Sequence, residues 1–582
     1  MKPIVLCAVF CAILFLPFAQ TRTSHFIKMP DGVKLAADVY FLENYTDEKL
    51  PVLVQFERYW RSSIDKKTGD TSFITGRDLY FNENGYIIMI VNTRGTGASF
   101  GVRQSEYSPV QVKDSKSVLD WIVDQPWCDG SIGSYGTSYT GTTAELLCAT
   151  QHPALKAVIP GWSDFDLYRS PARPYGMLAS KFINRWGRYV NFLDKNRSMI
   201  LRSSVNPVDE DSLKFALKEH KDNPKVHKYT RASDFRDHSL NGFDYDECSV
   251  IHWQKEIEAS GVPMFVIASW MDAGTAEGTL QRLEHFSNPQ KVLLMSTAHG
   301  GWCNADPFVV DDLLFYPDPI TTEQSKRMLD FLDFHLKGRK NGVDEWPLIQ
   351  YYNIGDPGYK ESNAWPISGT SEKKLYLGAS DGLLESVPEL DGRRSYDVDF
   401  GVHTSTYNRW TTQMEGPVKG LNNRNAMDDR MLVYTSVPME DDLQITGAPE
   451  ISLWLSSTHE DGVVLVYLED VDENGKSVYV TEGGLRLIHR KMAEPSDSTF
   501  NLHTFNEKDA ALMIPGKVEE ITLRFLPTSV TIKKGHSIRI AIAGADKGIF
   551  DKCPKRGKPT LDIHASEVYD SHIVLPVVSD EK

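Results

Sequence analysis

A serine within a run of small residues carries the first chemical signal of this sequence. The stretch GSYGTSYTGTTAE, from Gly133 to Glu145, surrounds Ser138 with glycines and continues into a helical pattern. A sharp turn from a strand into a helix, with serine at its tip, is the geometry of a nucleophile elbow. The second glycine of the motif, Gly141, lies one position later than in G-x-S-x-G. The stretch predicts a nucleophilic serine, and a plain glycine–serine loop is the alternative if it is taken alone.

An acid and a base follow the serine in the order that serine hydrolysis needs. Asp272 comes directly after the apolar run VPMFVIASW, and His299 follows shortly after the run KVLLMST. In α/β-hydrolases the chain order is serine, acid, histidine, and the last two lie at the ends of later strands. The pattern therefore predicts acyl transfer, in which Ser138 attacks a carbonyl, His299 moves the proton and Asp272 orients the imidazole.

The intermediate of such a reaction carries a negative charge that hydrogen-bond donors must stabilise. One predicted donor is the backbone N–H of Tyr139, the residue after the nucleophile. The other is expected in the loop QFERYWRSS, which has no HGGG run, so the hydroxyl of Tyr59 is the candidate. Four aromatic residues are candidates for lining a substrate pocket, with core packing as the alternative for each: Trp162, Phe165, Trp186 and Trp302.

The elements that must position these residues follow from hydrophobic patterning. Continuous apolar runs such as GYIIMIVN are typical of parallel strands buried on both faces, and helical stretches separate several of them. They predict an α/β-hydrolase core with a mostly parallel sheet in residues 21–162 and 262–345. Residues 163–261 have few strand patterns and are predicted to form an inserted helical cap. From residue 346 to 582, alternating runs separated by Gly, Asp or Asn turns predict an all-β sandwich or jelly roll.

The motifs together resemble the cocaine esterase / X-Pro dipeptidyl-peptidase family of α/β-hydrolases. The matching pieces include FIKMPDGVKLAADVY, RYW, NTRGTGASFG, DWIVDQPWCDGSIGSYGTSYTG, HPALKAVIPGWSDFDLYRSP, SWMDAGTAEG, AHGGW and FLDFHLKG, and they span nearly the whole mature chain. The resemblance implies a hydrolase core, a helical cap inserted before the acid strand and a C-terminal jelly roll of the galactose-binding-like type. It also implies Ser138, Asp272 and His299 as the triad, with Tyr59 supplying the tyrosine hydroxyl of the oxyanion hole.

Two narrower activities and one rival class remain open at this point. The α-amino-acid ester hydrolase branch of the family carries carboxylates just after the catalytic aspartate, where this chain has Ala273-Gly274-Thr275, so that branch is not favoured. An X-Pro dipeptidyl aminopeptidase needs an anion for the substrate amine, and Asp164, Asp166 and Asp244 are equal candidates. The rival class is a non-catalytic module that binds carbohydrate or protein. The leading hypothesis is an exported serine hydrolase that cleaves a carboxylic ester or amide.

Composition and the N-terminus bound the setting. The chain has 582 residues and a net charge of −16, from 63 basic and 79 acidic residues, which argues against nucleic acid as a partner. Residues 1–20 read as a secretory signal peptide, so we expect a secreted or periplasmic protein without a membrane span after cleavage. Nothing in the sequence predicts a cofactor or a metal site, and Asp470–Gly475 reads as a hairpin turn rather than a calcium loop. Cys128 and Cys148 are the best candidates for a disulfide.

Overall fold

The computed structural model describes residues 20–198, 202–240, 242–309, 323–416, 418–494 and 502–579. The predicted signal peptide lies outside the described residues except for Gln20. Within the described ranges, no helix combines the length and the hydrophobicity that crossing a bilayer requires.

Fourteen strands of the described residues precede the β-rich second half of the chain. Their bounds are β1 Gln20–Lys28, β2 Lys34–Leu42, β3 Leu50–Glu57, β4 Ser63–Asp65, β5 Ile87–Asn92, β6 Cys128–Thr137, β7 Leu155–Gly161, β8 Ser203–Val205, β9 Ser239–Leu240, β10 Phe243–Asp244, β11 Met264–Ser269, β12 Gln290–Met295, β13 Ile349–Asn353 and β14 Gly358–Ser362. The helices of this half are α1 Gly76–Glu83, α2 Pro109–Val123, α3 Tyr139–Leu146, α4 Ser180–Leu193, α5 Glu210–Glu219, α6 Val226–Ala232, α7 Gln254–Ser260, α8 Thr275–His285 and α9 Glu323–Lys337.

Ten of these strands form one large sheet, in the order β1-β2-β5-β3-β6-β7-β11-β12-β13-β14. The six neighbour pairs from β5 to β13 are parallel, and the two ends of the sheet are antiparallel. Every residue of β5 and of β11 is buried, because helices cover both faces of a parallel sheet. The predicted α/β core is confirmed. The carboxyl ends of β6, β11 and β12 lie at one edge, and the three predicted catalytic residues follow them.

The segment between β7 and β11 contains the helices α4 to α7 and only short strands, which agrees with the expected helical cap. Helix α4 has a buried face that includes Phe182 and Ile183, and it packs against α6. One finding differs from the sequence-based division of the chain. Residues 349–362, which the sequence places in the second domain, form β13 and β14 of the first sheet, because IQYYN pairs in parallel with β12.

The second half is an all-β domain, as predicted. Its described strands are β15 Thr370–Leu377, β16 Gly382–Leu384, β17 Gly392–Asp397, β18 Leu432–Ser436, β19 Leu443–Gly447, β20 Glu450–Ser457, β21 Val463–Val471, β22 Ser477–Arg486, β23 Glu519–Arg524, β24 Thr528–Ile532, β25 Ser537–Ala543, β26 Thr560–Ala565 and β27 His572–Val578. Two single-turn helices, α10 Thr412–Glu415 and α11 Asn425–Asp428, lie in the long connection between β17 and β18. The hairpin turn predicted near Asp472 joins β21 and β22, with that carboxylate accepting backbone N–H groups of Asn474 and Lys476.

The expected disulfide is absent. Cys128 and Cys148 are both buried free thiols, and so are Cys248 and Cys303, while Cys553 is a partly exposed free thiol. Cys128 begins β6, whereas Cys148 lies in the single turn of 3₁₀ helix that follows α3. Proximity to one motif in the sequence was therefore a poor guide to pairing.

Candidate active site

Ser138 sits at a strained turn between β6 and α3. Its φ of 63° and ψ of −123° lie in a region that side-chain-bearing residues rarely occupy. Its N–H donates to the carbonyl of Gly161 at 2.8 Å, which ties the turn to the end of β7. A Cβ added at Gly136 would lie 2.3 Å from the carbonyl carbon of Thr140, and one at Gly141 would lie 2.5 Å from the Gly161 oxygen. The small residues are required because the nucleophile turn and its helix approach this close.

An acid–base pair lies at the ends of the two strands predicted to carry it. Asp272 follows β11 and is fully buried, and His299 follows β12. The Nδ1 of His299 lies 2.8 Å from Oδ2 of Asp272. This contact fixes the proton on Nδ1 and leaves Nε2 free to accept a proton. Burial lowers the pKa of His299, but the Asp272 carboxylate, its hydrogen bond and the Asp164 carboxylate together raise that pKa above 6.5.

Ser138, His299 and Tyr59 line one cavity of about 310 Å³. The cavity is bounded by the nucleophile turn on one side and by the helical cap on the other. Its other lining residues are mostly apolar or aromatic and include Phe182, Ile183, Trp186, Tyr189, Tyr229, Phe243, Gln413 and Met414. A serine and a histidine that face one partly open, mostly apolar space can perform acyl transfer on a substrate held there.

Tyr59, the candidate oxyanion-hole residue, lines the same cavity as Ser138. Its hydroxyl accepts a hydrogen bond from Nε1 of Trp186 at 2.9 Å, and its ring stacks on Tyr189. Among the described residues no acceptor takes the hydroxyl hydrogen of Tyr59, so that hydrogen can point into the cavity. Burial raises the pKa of Tyr59 far above its usual range, which keeps the hydroxyl protonated at every ordinary pH. It is a neutral donor.

Tyr139 is the first residue of α3. An N–H group at this position has no acceptor within its own helix, so it is available to a charge at the nucleophile. The Tyr139 ring is buried and stacks on Tyr107 with ring centroids 4.6 Å apart. The backbone N–H of Tyr139 is therefore available to an oxyanion, while its side chain packs in the core; its role there stays a prediction.

Of the four aromatic residues proposed for the pocket, only Trp186 lines the cavity. Trp162 is buried in the core and packs where a side chain at Gly301 would have to go. Phe165 is also buried, with the guanidinium of Arg282 over its ring. Trp302 is 37% exposed, outside the cavity. None of these three residues lines the cavity, and the alternative of core packing fits Trp162 and Phe165.

The three carboxylates proposed as amine anchors differ in whether they already have a partner in the protein. Asp166 is paired with Arg236 at 2.6 Å, and Asp244 accepts backbone N–H groups in its own turn. Asp164 lines the cavity, and its Oδ1 is buried with no hydrogen-bond partner among the described residues. Burial raises the pKa of Asp164 to about 7, against the opposing charge of His299. Asp164 is the carboxyl that a ligand could reach.

Three cavity features escaped the sequence reading. Glu106 lines the cavity, but buried ion pairs with Arg58 and Arg103 neutralise its charge. Gln413 and Met414, from the second domain, complete the wall. Arg58 was visible beside the candidate Tyr59 in ERYWR. Nothing local marks the residues from the second domain, because only folding brings them to the first.

Comparison with known proteins places these observations in a family. The profile described as X-Pro dipeptidyl-peptidase (S15 family) matches residues 31–301, and that of the X-Pro dipeptidyl-peptidase C-terminal non-catalytic domain matches residues 341–574. A Mycobacterium bovis protein named "putative serine esterase" is 33% identical over 96% of this chain and 95% of its own length. The cocaine esterase of a Rhodococcus species is 24% identical over 95% of this chain and 97% of its own.

Two solved structures share the fold over nearly the whole chain. A CocE/NonD family hydrolase from Staphylococcus aureus superposes with a TM-score of 0.73 at 18% identity and covers 96% of this chain and 93% of that one. An aminopeptidase from a marine sediment Thaumarchaeota archaeon superposes with a TM-score of 0.74 at 18% identity, with 97% of each chain covered. At this identity the likeness concerns the architecture.

Proposed function

The chain belongs to the X-Pro dipeptidyl-peptidase S15 family and is a serine hydrolase, and from that premise we propose that it is an exported esterase that forms an acyl-enzyme on Ser138. One observation carries the proposal. The strained turn that presents Ser138 borders the same cavity as His299, whose imidazole is hydrogen-bonded to the buried Asp272 behind it. Structural packing alone gives no reason for a serine to hold this backbone conformation at the mouth of an apolar space.

The arrangement supports a two-step reaction. His299 takes the hydroxyl proton as Ser138 attacks the ester carbonyl, and Asp272 stabilises the imidazolium that forms. The Tyr139 N–H and the Tyr59 hydroxyl hold the oxyanion. The alcohol leaves with the proton from His299, and water then attacks the acyl-enzyme by the reverse sequence of proton transfers.

The cavity favours an ester with at least one apolar or aromatic group. Its wall is built mainly from the side chains of α4, α6 and neighbouring segments of the cap. Burial of such a group against rings and aliphatic side chains supplies about 25 cal/mol per Å² of apolar surface. We therefore expect turnover of esters with an apolar acyl or alcohol part to exceed turnover of esters in which both parts are charged.

The test compares the mature protein with Ser138→Ala on a short-chain nitrophenyl ester and on a Gly-Pro anilide. Ser131→Ala, at the partly exposed start of β6, is the matched control. We expect ester turnover and fluorophosphonate labelling of the wild type and the control, and neither in Ser138→Ala. A folded wild-type protein that turns over no ester and takes no label would contradict the proposal and favour a non-catalytic binding module.

A second candidate activity, X-Pro dipeptidyl aminopeptidase, is supported by Asp164. The unpartnered oxygen of this carboxyl could accept a hydrogen bond from a substrate ammonium inside the cavity. Because the pKa of Asp164 is raised to about 7, the anion that an amine requires forms only as the pH rises through that value. Turnover of an amine substrate should then increase through pH 7 relative to turnover of a neutral ester.

Asp164→Asn separates the two activities. If the carboxylate anchors an amine, the variant loses Gly-Pro anilide turnover and keeps neutral ester turnover, whereas Asp244→Asn, outside the cavity, keeps both. Equal activity of Asp164→Asn and wild type on the anilide would exclude this anchor. Absence of anilide turnover in the wild type would leave the esterase proposal alone.

Export is proposed from the apolar N-terminal run Pro3–Ala19. Expression of the full chain in a secreting host, followed by N-terminal sequencing of the active product, tests it. A new N-terminus near residue 20 in the exported fraction supports cleavage. Retention of Met1 in a protein that stays within the cell would refute it.

A further inference from the structure

We infer that Thr412, from the all-β domain, is a positioning residue for the catalytic acid Asp272, an inference that rests on the proposed function. The Oγ1 of Thr412 donates to Oδ1 of Asp272 at 2.5 Å, across 140 residues of sequence. Asp272 uses its other oxygen, Oδ2, for His299 at 2.8 Å. The two oxygens of the carboxylate are therefore divided between the imidazole and a hydroxyl of the second domain.

The Thr412 hydroxyl donates its hydrogen to the Asp272 carboxylate rather than to a neighbouring carbonyl. Within the described residues, Thr412 is the only donor within hydrogen-bonding distance of Oδ1 of Asp272. The hydroxyl has one hydrogen and two neighbouring acceptors, since the carbonyl of Arg409 lies at 2.9 Å. The carboxylate is nearer and charged, and charge-assisted bonds of this kind are both shorter and stronger than neutral ones. Asp272 and Thr412 are both buried, so water cannot replace the bond.

The segment that carries Thr412 also makes hydrogen bonds to the backbone on both sides of Asp272. The buried guanidinium of Arg409 donates to the carbonyls of Trp270 and Ala273, on either side of Asp272. The N–H of Ala273 donates in return to the Arg409 carbonyl at 2.9 Å. Ala273 has a φ of 45°, a left-handed conformation that is unfavourable for alanine. The contact with the second domain stabilises this strained residue and so fixes where the acid points.

This segment is itself anchored in the all-β domain. The indole N–H of Trp410 donates to the buried Glu482 of β22 at 2.5 Å, and the side chain of Asn408 accepts from the N–H of Trp410. Gln413 and Met414 follow directly and line the cavity. The connection between β17 and β18 thus reaches from the sheet of the second domain into the active site. Loss of the bond would let the Asp272 carboxylate rotate and the imidazole lose its orientation.

The all-β domain offers a matched control for this bond. The hydroxyl of Thr404 donates to Oδ2 of Asp546 at 2.5 Å; both residues are buried, and neither lines the cavity. Thr404→Val therefore removes the same chemical bond at a site without the catalytic acid. Thr412→Val removes the bond to Asp272, and Thr412→Ser retains the hydroxyl.

We expect Thr412→Val to lower kcat/KM by about 10- to 100-fold, mostly in kcat, because a hydrogen bond to a buried charge orients the triad. The apparent pKa of the acidic limb of its pH profile should rise, since the carboxylate loses the short hydrogen bond from Thr412 and its charge then stabilises the imidazolium more strongly. Thr412→Ser should restore most of the activity. Thr404→Val should lose thermal stability to a similar extent and keep wild-type kcat/KM.

Two results would overturn the inference. One is a folded Thr412→Val variant with kcat/KM within twofold of the wild type. The other is a loss of activity without a shift of the acidic limb, which would make Thr412 a purely structural residue. Failure of the proposed function is distinguishable, because it would appear as an inactive, unlabelled wild type. Failure of this inference alone leaves an active wild type and an inactive Ser138→Ala.

Discussion

Replacing Tyr59 by phenylalanine is the sharpest test of how the site stabilises a transition state. The substitution removes a single hydroxyl and keeps the ring that stacks on Tyr189 and meets Tyr139 edge-on. Tyr59 and Ser138 line the same cavity, and the indole N–H of Trp186 donates to the Tyr59 hydroxyl, so the hydroxyl hydrogen is free for the oxyanion. We expect the loss to fall on kcat, because the charge exists only in the transition state.

The structure sets the expected size of the kcat loss in Tyr59→Phe. Loss of one oxyanion donor costs about 10²- to 10³-fold in kcat. Tyr59 is a neutral donor, since burial raises its pKa and prevents ionisation, and the N–H of Tyr139 remains in the variant. The lower end of the range therefore applies, about 100-fold or about 2.7 kcal/mol. Trp186→Phe leaves the donor in place but removes the bond that polarises it, so its effect on kcat should be severalfold smaller.

The assay is steady-state hydrolysis of a nitrophenyl ester, with kcat and KM determined separately for each variant. Thermal denaturation must accompany it, because Tyr59→Phe takes away the acceptor of the partly buried indole N–H of Trp186 and so also affects stability. A folded Tyr59→Phe protein with kcat within threefold of the wild type would refute the reasoning. The second oxyanion donor would then be a group other than Tyr59.

Three further predictions follow from the same geometry. The raised pKa of His299 means that the inactive imidazolium persists above pH 6.5, so kcat/KM should fall as the pH drops through an apparent pKa above that value; a limb below pH 6 would contradict it. Gly141→Ala should cost about 1–3 kcal/mol in urea unfolding and lower kcat, whereas Gly358→Ala, with open space around it, should be near neutral in both assays. Glu145→Ala should cost about 3–5 kcal/mol in the same unfolding experiment, because it strands the fully buried guanidinium of Arg282; a cost below 1 kcal/mol would refute this.

Local sequence patterns could predict most of the catalytic constellation because each signal lies within one element and its following loop. The glycines near Ser138 indicate a close approach that the structure confirms, and Asp272 and His299 follow buried strands whose parallel ends meet at one edge. Tyr59 was found only through the missing HGGG run and the family resemblance. The function of each of these residues in catalysis remains a prediction for the variants above.

Local sequence patterns do not predict whether a side chain near a strand end points into the core or into the cavity. Trp162 and Phe165 follow a strand end as closely as a pocket residue would, yet both pack in the core. Cys128 and Cys148 flank one motif and do not pair. In each case the sequence shows only the position along the chain, whereas the packing of the folded elements decides what each side chain contacts.

The sequence by itself determined the class of chemistry and the order of the elements that present it, because a nucleophile turn, an acid after a strand and a histidine after the next strand are local features. Only the tertiary structure decided that Thr412 of the second domain contacts Asp272 and Arg409 the backbone of Ala273, and that Asp164 rather than Asp166 lines the cavity. The reason is physical. Hydrophobic periodicity specifies which face of an element is buried, but contacts between segments 140 residues apart depend on how whole elements pack.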